Sequence, residues 1–336
     1  MSTVVSSLSD DSTLLAELRT LAERGRHREV LSRLERLSPE TLERRTPFAL
    51  LAAEAHGRLG THVEAERWAT LALAIARARG ERHAELRACN YKGAIALERG
   101  DVDAAEQHFA VGLELARTLS DHAAEARCHN NLGIIANLRG DPQAALASYQ
   151  LALAAYQQAG LVRGMTETHH NIGISRGDLG DYRGALQAAD EAVRLAGQVN
   201  DESLGALALF GRAALHLQQG DADLAAAELA RAEDAYERLR QPVGLAEVWR
   251  LQAGVARMRD DLGAAVALLR KAADLASEQG SAHTLAEIER DLGAALDAGG
   301  DRTAARAAWA RAIALYERLG ASHAAKRIRT LMGGRP

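Results

Sequence analysis

The sequence contains asparagines whose spacing could do chemistry. Asn130 and Asn131 sit side by side in "HNNLGIIANLRGDP", Asn90 lies 40 residues before the first, and Asn171 lies 40 after the second. A carboxamide has both donors and an acceptor, so a row of them can pair with the N–H and C=O groups of a bound peptide whatever its side chains. Arg87 and Arg127 recur at the same interval and could add charge-assisted bonds to an acidic side chain or a free C-terminal carboxylate. A second set, Cys89, His129 and His169, also recurs every 40 residues, beside Cys128 and His170, and raises the question of a metal. Successive packed helices stand about 8–10 Å apart, whereas zinc needs its ligands at about 2.0–2.3 Å. No CxxC or HExxH spacing accompanies these residues, so no metal is expected.

The elements that must position these residues follow from an internal ruler. The turns "LGTH", "RGDV", "RGDP", "LGDY", "QGDA", "RDDL" and "GGDR" carry Gly60, Gly100, Gly140, Gly180, Gly220, Asp260 and Gly300 at one constant interval. An alanine stands five residues after each, from Ala65 to Ala305, and a small residue seven before, as at Gly93, Gly133, Gly173 and Ala213. Each unit reads as helix, tight turn, helix. Glycine supplies the left-handed residue that ends the first helix, and the aspartate that usually follows can cap the next. The small sites mark close helix contacts, and Phe109, Tyr149, Leu229, Leu269 and Trp309 fill the space between them.

Composition agrees with thin layers of helix. Hydrophobic residues make up 47% of the chain and aromatics 4%, with five prolines. The expected class is all-α: an α-solenoid, a right-handed superhelix of antiparallel helix pairs. Seven regular 40-residue units should span 40–320, preceded by a degenerate pair at 12–38 hinged at Gly25 and closed by a capping helix at 322–332. Flexible tails are expected at 1–11 and 333–336, around a single solenoid over 12–332.

Small residue, glycine turn, alanine, aromatic, alanine, as in Leu132-Gly133, Gly140, Ala145, Tyr149 and Ala152, resembles the tetratricopeptide repeat. The usual period of that repeat is 34. The 40-residue form is similar to kinesin light chains, Leu-Gly-Asn-repeat polarity adaptors and bacterial receptors for signalling peptides. The resemblance implies that first helices line a concave groove and that asparagines at the Asn131 and Asn171 site grip the main chain of an extended guest. Residues three or four apart share a helix face, which adds Ile134, Asn137 and His170 to Arg87, Asn90, Arg127, Asn130, Asn131 and Asn171 as the expected peptide-binding set. Farther along, Leu207, Phe210, Glu247, Arg250, Glu287 and Arg290 continue the lining, with Phe210 an apolar foothold and Trp249 in the core. The alternative for the asparagines is a bond to water or to a neighbouring helix. For Arg87 and Arg127 it is pairing with Glu85, Glu98 or Glu125.

The formal charge is −4 and the isoelectric point near 6.3. With Glu167, Glu247 and Glu287 on the lining, phosphate neutralisation is a poor prospect, so no nucleic-acid partner is expected. No window has the roughly 18 apolar residues of a spanning helix, so membrane insertion is not expected and the cytoplasm is the expected location. Neither a Gly-x-Ser-x-Gly elbow nor a phosphate-cradling loop is present. The expected function is a non-enzymatic adaptor without cofactors, binding a peptide or protein segment that is acidic or ends in a free C-terminus. Two alternatives remain: a receptor that changes superhelix pitch on a short signalling peptide, and a structural subunit that assembles through its ends or convex face. Cys89 and Cys128 should be free, buried thiols.

Overall fold

The computed structural model describes residues 2–23, 25–38, 42 and 45–333. It is all helical, with no strand among the described residues. α1 (Ser2–Glu23) and α2 (His27–Leu34) flank Gly25 and precede seven helix pairs. The pairs are α3 (Thr46–Arg58) with α4 (His62–Arg79), α5 (Arg82–Glu98) with α6 (Val102–Leu119), and α7 (His122–Leu138) with α8 (Pro142–Ala159). They continue as α9 (Val162–Asp178) with α10 (Tyr182–Val199), α11 (Glu202–Gln219) with α12 (Ala222–Arg238), α13 (Pro242–Met258) with α14 (Leu262–Glu278), and α15 (Ala282–Ala298) with α16 (Arg302–Arg318). α17 (Ser322–Gly333) ends the series. The expected N-terminal tail is helical from Ser2 on, while Met1 and residues 334–336 lie outside the described residues.

By their contacts the residues fall into two compact units, one up to Cys128 and one from His129. In the first, Leu18, Val30, Leu34, Phe48 and Leu51 join α1 and α2 to α3 in one apolar cluster. In the second, the largest cluster is built on Trp249, Leu269, Ile288, Trp309, Tyr316 and Ile328. Within the units, first helices also touch first helices of the next pair, as α3 does α5, and α9, α11, α13 and α15 do in turn. Among the described residues within each unit, second helices show no comparable packing on each other. The inside of a curved stack is where its layers come closest, so the first helices form the inner face.

The turns recur every 20 residues, not only every 40. Gly60, Gly100, Gly140, Gly180, Gly220 and Gly300 have φ between 71° and 88°, and Asp260 matches them at 60°. Midway between them, Gly80, Gly160, Gly280 and Gly320 have φ of 67°, and Ser120, Asn200 and Arg240 take φ of 53°, 49° and 52°. The exit from each pair is therefore as tight as the turn inside it. After the inner turns the aspartates cap as expected: Asp101, Asp141, Asp181, Asp221, Asp261 and Asp301 each accept from the backbone N–H three residues on.

Packing within a pair follows a volume rule. In three pairs the ring that fills the pair sits directly over the small site of its first helix. A Cβ placed on Gly93 would come 2.7 Å from the Phe109 ring, and those on Gly133 and Gly293 would collide with Tyr149 and Trp309. Where the filler is Leu229 or Leu269, the small site is Ala213 or Ala253. Pairs are joined by the same rule: Tyr156 lies over Gly164 and Tyr236 over Gly244, whereas Ala116 and Ala276 face Ala124 and Thr284 at the equivalent positions. The fourth pair has alanine, Ala189, as filler, and a Cβ on Gly173 would meet nothing closer than 3.5 Å.

Two outcomes follow from these contacts. Gly133→Ala should lose about 1–3 kcal/mol through overpacking, while Gly173→Ala should be neutral or gain up to about 1 kcal/mol of helix propensity; denaturant titration of both separates the collision from the propensity. Asp260→Gly relieves a left-handed backbone held by a residue with a Cβ and should raise stability by about 0.5 kcal/mol, read the same way.

Candidate functional site

In the first unit the inner face carries Arg87, Tyr91 and Glu54. The Tyr91 hydroxyl donates to Glu54 at 2.7 Å, and an Arg87 N–H reaches the same hydroxyl at 3.5 Å. Burial and the neighbouring Glu54 carboxylate push the Tyr91 hydroxyl up to about 12. Arg127 is exposed and makes no ion pair. The three glutamates that could have neutralised these arginines go elsewhere: Glu85 pairs with Arg77 and Arg82, Glu98 with His62, and Glu125 with Arg117. Asn90 turns away from the face. Its Oδ1 accepts from the Cys128 thiol at 3.1 Å and lies against Gly112, wedged between α5, α6 and α7. Cys89 and Cys128 are free and buried, and burial pushes the Cys128 thiol up to about 12.

In the second unit the asparagines divide. Asn130 Oδ1 accepts from the Thr168 hydroxyl at 3.1 Å and from the Asn171 amide at 3.2 Å, so it ties α7 to α9. Asn137 exchanges bonds with the Ser175 hydroxyl at 2.9 and 3.1 Å and donates to the Tyr149 hydroxyl at 3.3 Å. Asn131 is half-buried and makes no side-chain hydrogen bond. The Asn171 side-chain oxygen Oδ1 also has no partner among the described residues, because only the side-chain amide nitrogen is engaged. Beside these two lies an apolar step. Ile134 packs on the cluster of Tyr149 and Ile172, Ile174 is 48% exposed, and His170 stands 6.4 Å from Phe210, ring centroid to centroid.

Beyond that step the face becomes ionic. Arg250 pairs with Glu247 at 2.8 Å and Asp291 at 3.0 Å, and Arg290 pairs with Glu287 at 2.7 Å and Asp291 at 2.9 Å. The Tyr316 hydroxyl donates to Glu287. Burial raises both Glu287 and Asp291, but the arginines outweigh it and leave both carboxyls below their ordinary range. Trp249, 7% exposed, lies in the core as expected, with its indole N–H donating to Glu233. Sequence reasoning did not single out Thr168, Ser175, Tyr316 or Asp291. A signal for the first two was present: Thr168 and Ser175 stand 38 residues after Asn130 and Asn137, the offset also taken by Cys128 from Asn90. Among the described residues no three histidine, cysteine or acidic side chains come together as metal ligands would.

The neutral ring of His170 has a measurable consequence. Burial alone lowers its pKa to about 4. Unfolded, the ring binds its proton near pH 6.5, so the unfolded state takes up more protons between that value and 4 and stability falls as the pH drops through this window. His170→Gln should lose about 2–3 kcal/mol less than the unmodified chain between pH 7.5 and 4.5 in denaturant titrations.

Comparison with known proteins is consistent with this geometry. Residues 86–158 match the tetratricopeptide repeat family. The sequence matches no curated protein. The fold is similar to that of a Rap protein solved in complex with Competence and Sporulation Factor, with TM-score 0.64, 14% identity, and coverage of 96% of this chain and 97% of that one. It is also similar to the apo form of the quorum sensor NprR from B. thuringiensis, with TM-score 0.56, 14% identity, and coverage of 96% and 97%. Aspartyl phosphate phosphatase F from Bacillus subtilis aligns with TM-score 0.59, 15% identity, and coverage of 96% and 94%. At such identities the structural likeness is one of fold, and it agrees with the repeat match over residues 86–158 and with the 40-residue period: the chain has the all-α solenoid fold of helix pairs seen in tetratricopeptide-repeat proteins.

Proposed function

We propose that the protein is a non-enzymatic binder of an extended peptide or protein segment, held on the inner face of its first helices. The observation that carries this reading is Asn131, a half-buried carboxamide on that face with no partner of its own. An amide so placed has already lost part of its water and gains from a guest that supplies both a donor and an acceptor. The free side-chain oxygen of Asn171 offers a further acceptor, and Ile174 with the His170–Phe210 step offers a place for an apolar side chain. Asn90, Asn130 and Asn137 contribute by holding the layers in place. Taken by itself, the first unit offers Arg87 and Arg127 as cations for an acidic or C-terminal carboxylate.

The similar folds support a short guest. One was solved with a named factor bound, and another is named a quorum sensor. This favours the receptor form of the proposal, in which the guest changes the pitch of the stack, over a passive adaptor or a structural subunit. The phosphatase named among the similar folds brings no catalytic set to this chain, and the binding reading needs no cofactor, metal or nucleic acid. No described helix is long and apolar enough to cross a membrane, and the cytoplasm is the proposed location.

The test uses a peptide selected from a displayed random library panned on the full chain. Asn131→Ala removes bonds to the guest but none within the protein. Its affinity for the selected peptide should fall roughly tenfold, about 1.4 kcal/mol, with the melting temperature within about 2 °C of the parent's. Undiminished binding would place the site elsewhere.

A further inference from the structure

The second unit meets itself. α17 packs on α16 through Ala321, Ala325 and Ile328, all buried, in the position that a next first helix would take. There it reaches the turn that ends α7, at the opposite end of the same unit. The His323 ring lies over Gly140, where a Cβ would come 3.1 Å from Cγ and 3.2 Å from Cδ2. Leu138, just before that turn, packs on the apolar cluster to which Ile328 and Tyr316 belong. At the end of α9, Asp178 faces Arg327, His323 and Glu287. Three separate observations thus bring the capping helix onto the ends of α7 and α9.

The contact is light. His323, Arg327 and Gly140 are exposed and Leu138 is only half-buried, so closing it removes little apolar area from water. Its charges are screened by solvent. A seam of this kind differs from the ring-over-glycine contacts inside the pairs, which close with full burial. Closed, it joins the two ends of the inner face of the second unit. Open, it leaves that face with a free edge.

We propose that α17 is a gate, seated on the Gly140 turn through His323 and Leu138, whose release opens the inner face of the second unit to its guest. The route taken by a guest rests on the peptide-binding reading. The closure itself does not, and it can be read without a guest.

The experiment compares amide hydrogen exchange and small-angle scattering of the full chain with those of Arg327→Glu, His323→Ala and Lys326→Glu. Arg327→Glu sets a negative charge toward Asp178, and His323→Ala removes the ring from Gly140. Both should speed exchange in the 138–141 turn and in α17 by about tenfold and increase the radius of gyration. Lys326→Glu makes the same charge reversal one residue away on the exposed side of α17 and should change neither. Melting temperatures of the three should agree, because none of the substituted side chains is buried. If Arg327→Glu and His323→Ala leave the turn as protected as in the parent, or if Lys326→Glu loosens it equally, the gate is overturned. Loss of guest binding in Asn131→Ala with the gate intact would separate the two proposals from the other side.

Discussion

The structure depends on how closely two paired helices can approach. In three of the pairs a large ring from the second helix lies on a glycine of the first, and in two others a leucine stands where the first helix has alanine. Phe109, Tyr149 and Trp309 require glycine beneath them, and Leu229 and Leu269 allow alanine. Interiors are packed at crystal-like density, so a methyl group too many cannot be absorbed locally. Where a large ring meets glycine and a smaller side chain meets alanine, the paired helices approach without a clash.

The fold was legible because its punctuation is chemical. A left-handed residue ends each helix, an aspartate caps the next, and small residues recur in phase. What escaped reading was the second set of turns. Ser120, Asn200 and Arg240 hold positive φ without being glycine, so the 20-residue half-period is visible in the backbone and blurred in the residues. The N-terminal helix from Ser2 also lay beyond the pattern, since its residues "MSTVVSSLSDDS" do not repeat.

The candidate site was legible only as to residue type. Asn130 and Asn131 are chemically identical and adjacent, yet about 100° of helix rotation separates them: Asn130 bonds to Thr168 and Asn171 of the next first helix, and Asn131 makes no side-chain hydrogen bond. Sequence periodicity locates the helix face to within one residue, and here one residue decides the role. The partners of the buried members, Cys128, Thr168 and Ser175, come from the next first helix at a fixed offset, which is a property of stacking and not of any single helix. The arginines show the converse. Arg87 and Arg127 have glutamates nearby in sequence, but those glutamates serve Arg77, Arg82, Arg117 and His62. Arg250 and Arg290, by contrast, form a network with Glu247, Glu287 and Asp291, in which the charges answer one another and no strong field is left to attract a counter-ion.

A helical array usually has no preferred length, since any repeat can be added at an end or removed from the middle with the neighbours closing up. The touch of His323 on Gly140 alters that. One repeat more or fewer between them would rotate and shift α17 past the turn, and the meeting would be lost. Copy number in the second unit is therefore a quantised variable: duplication or deletion of a repeat, harmless to an open-ended stack, would here unseat α17 from the Gly140 turn.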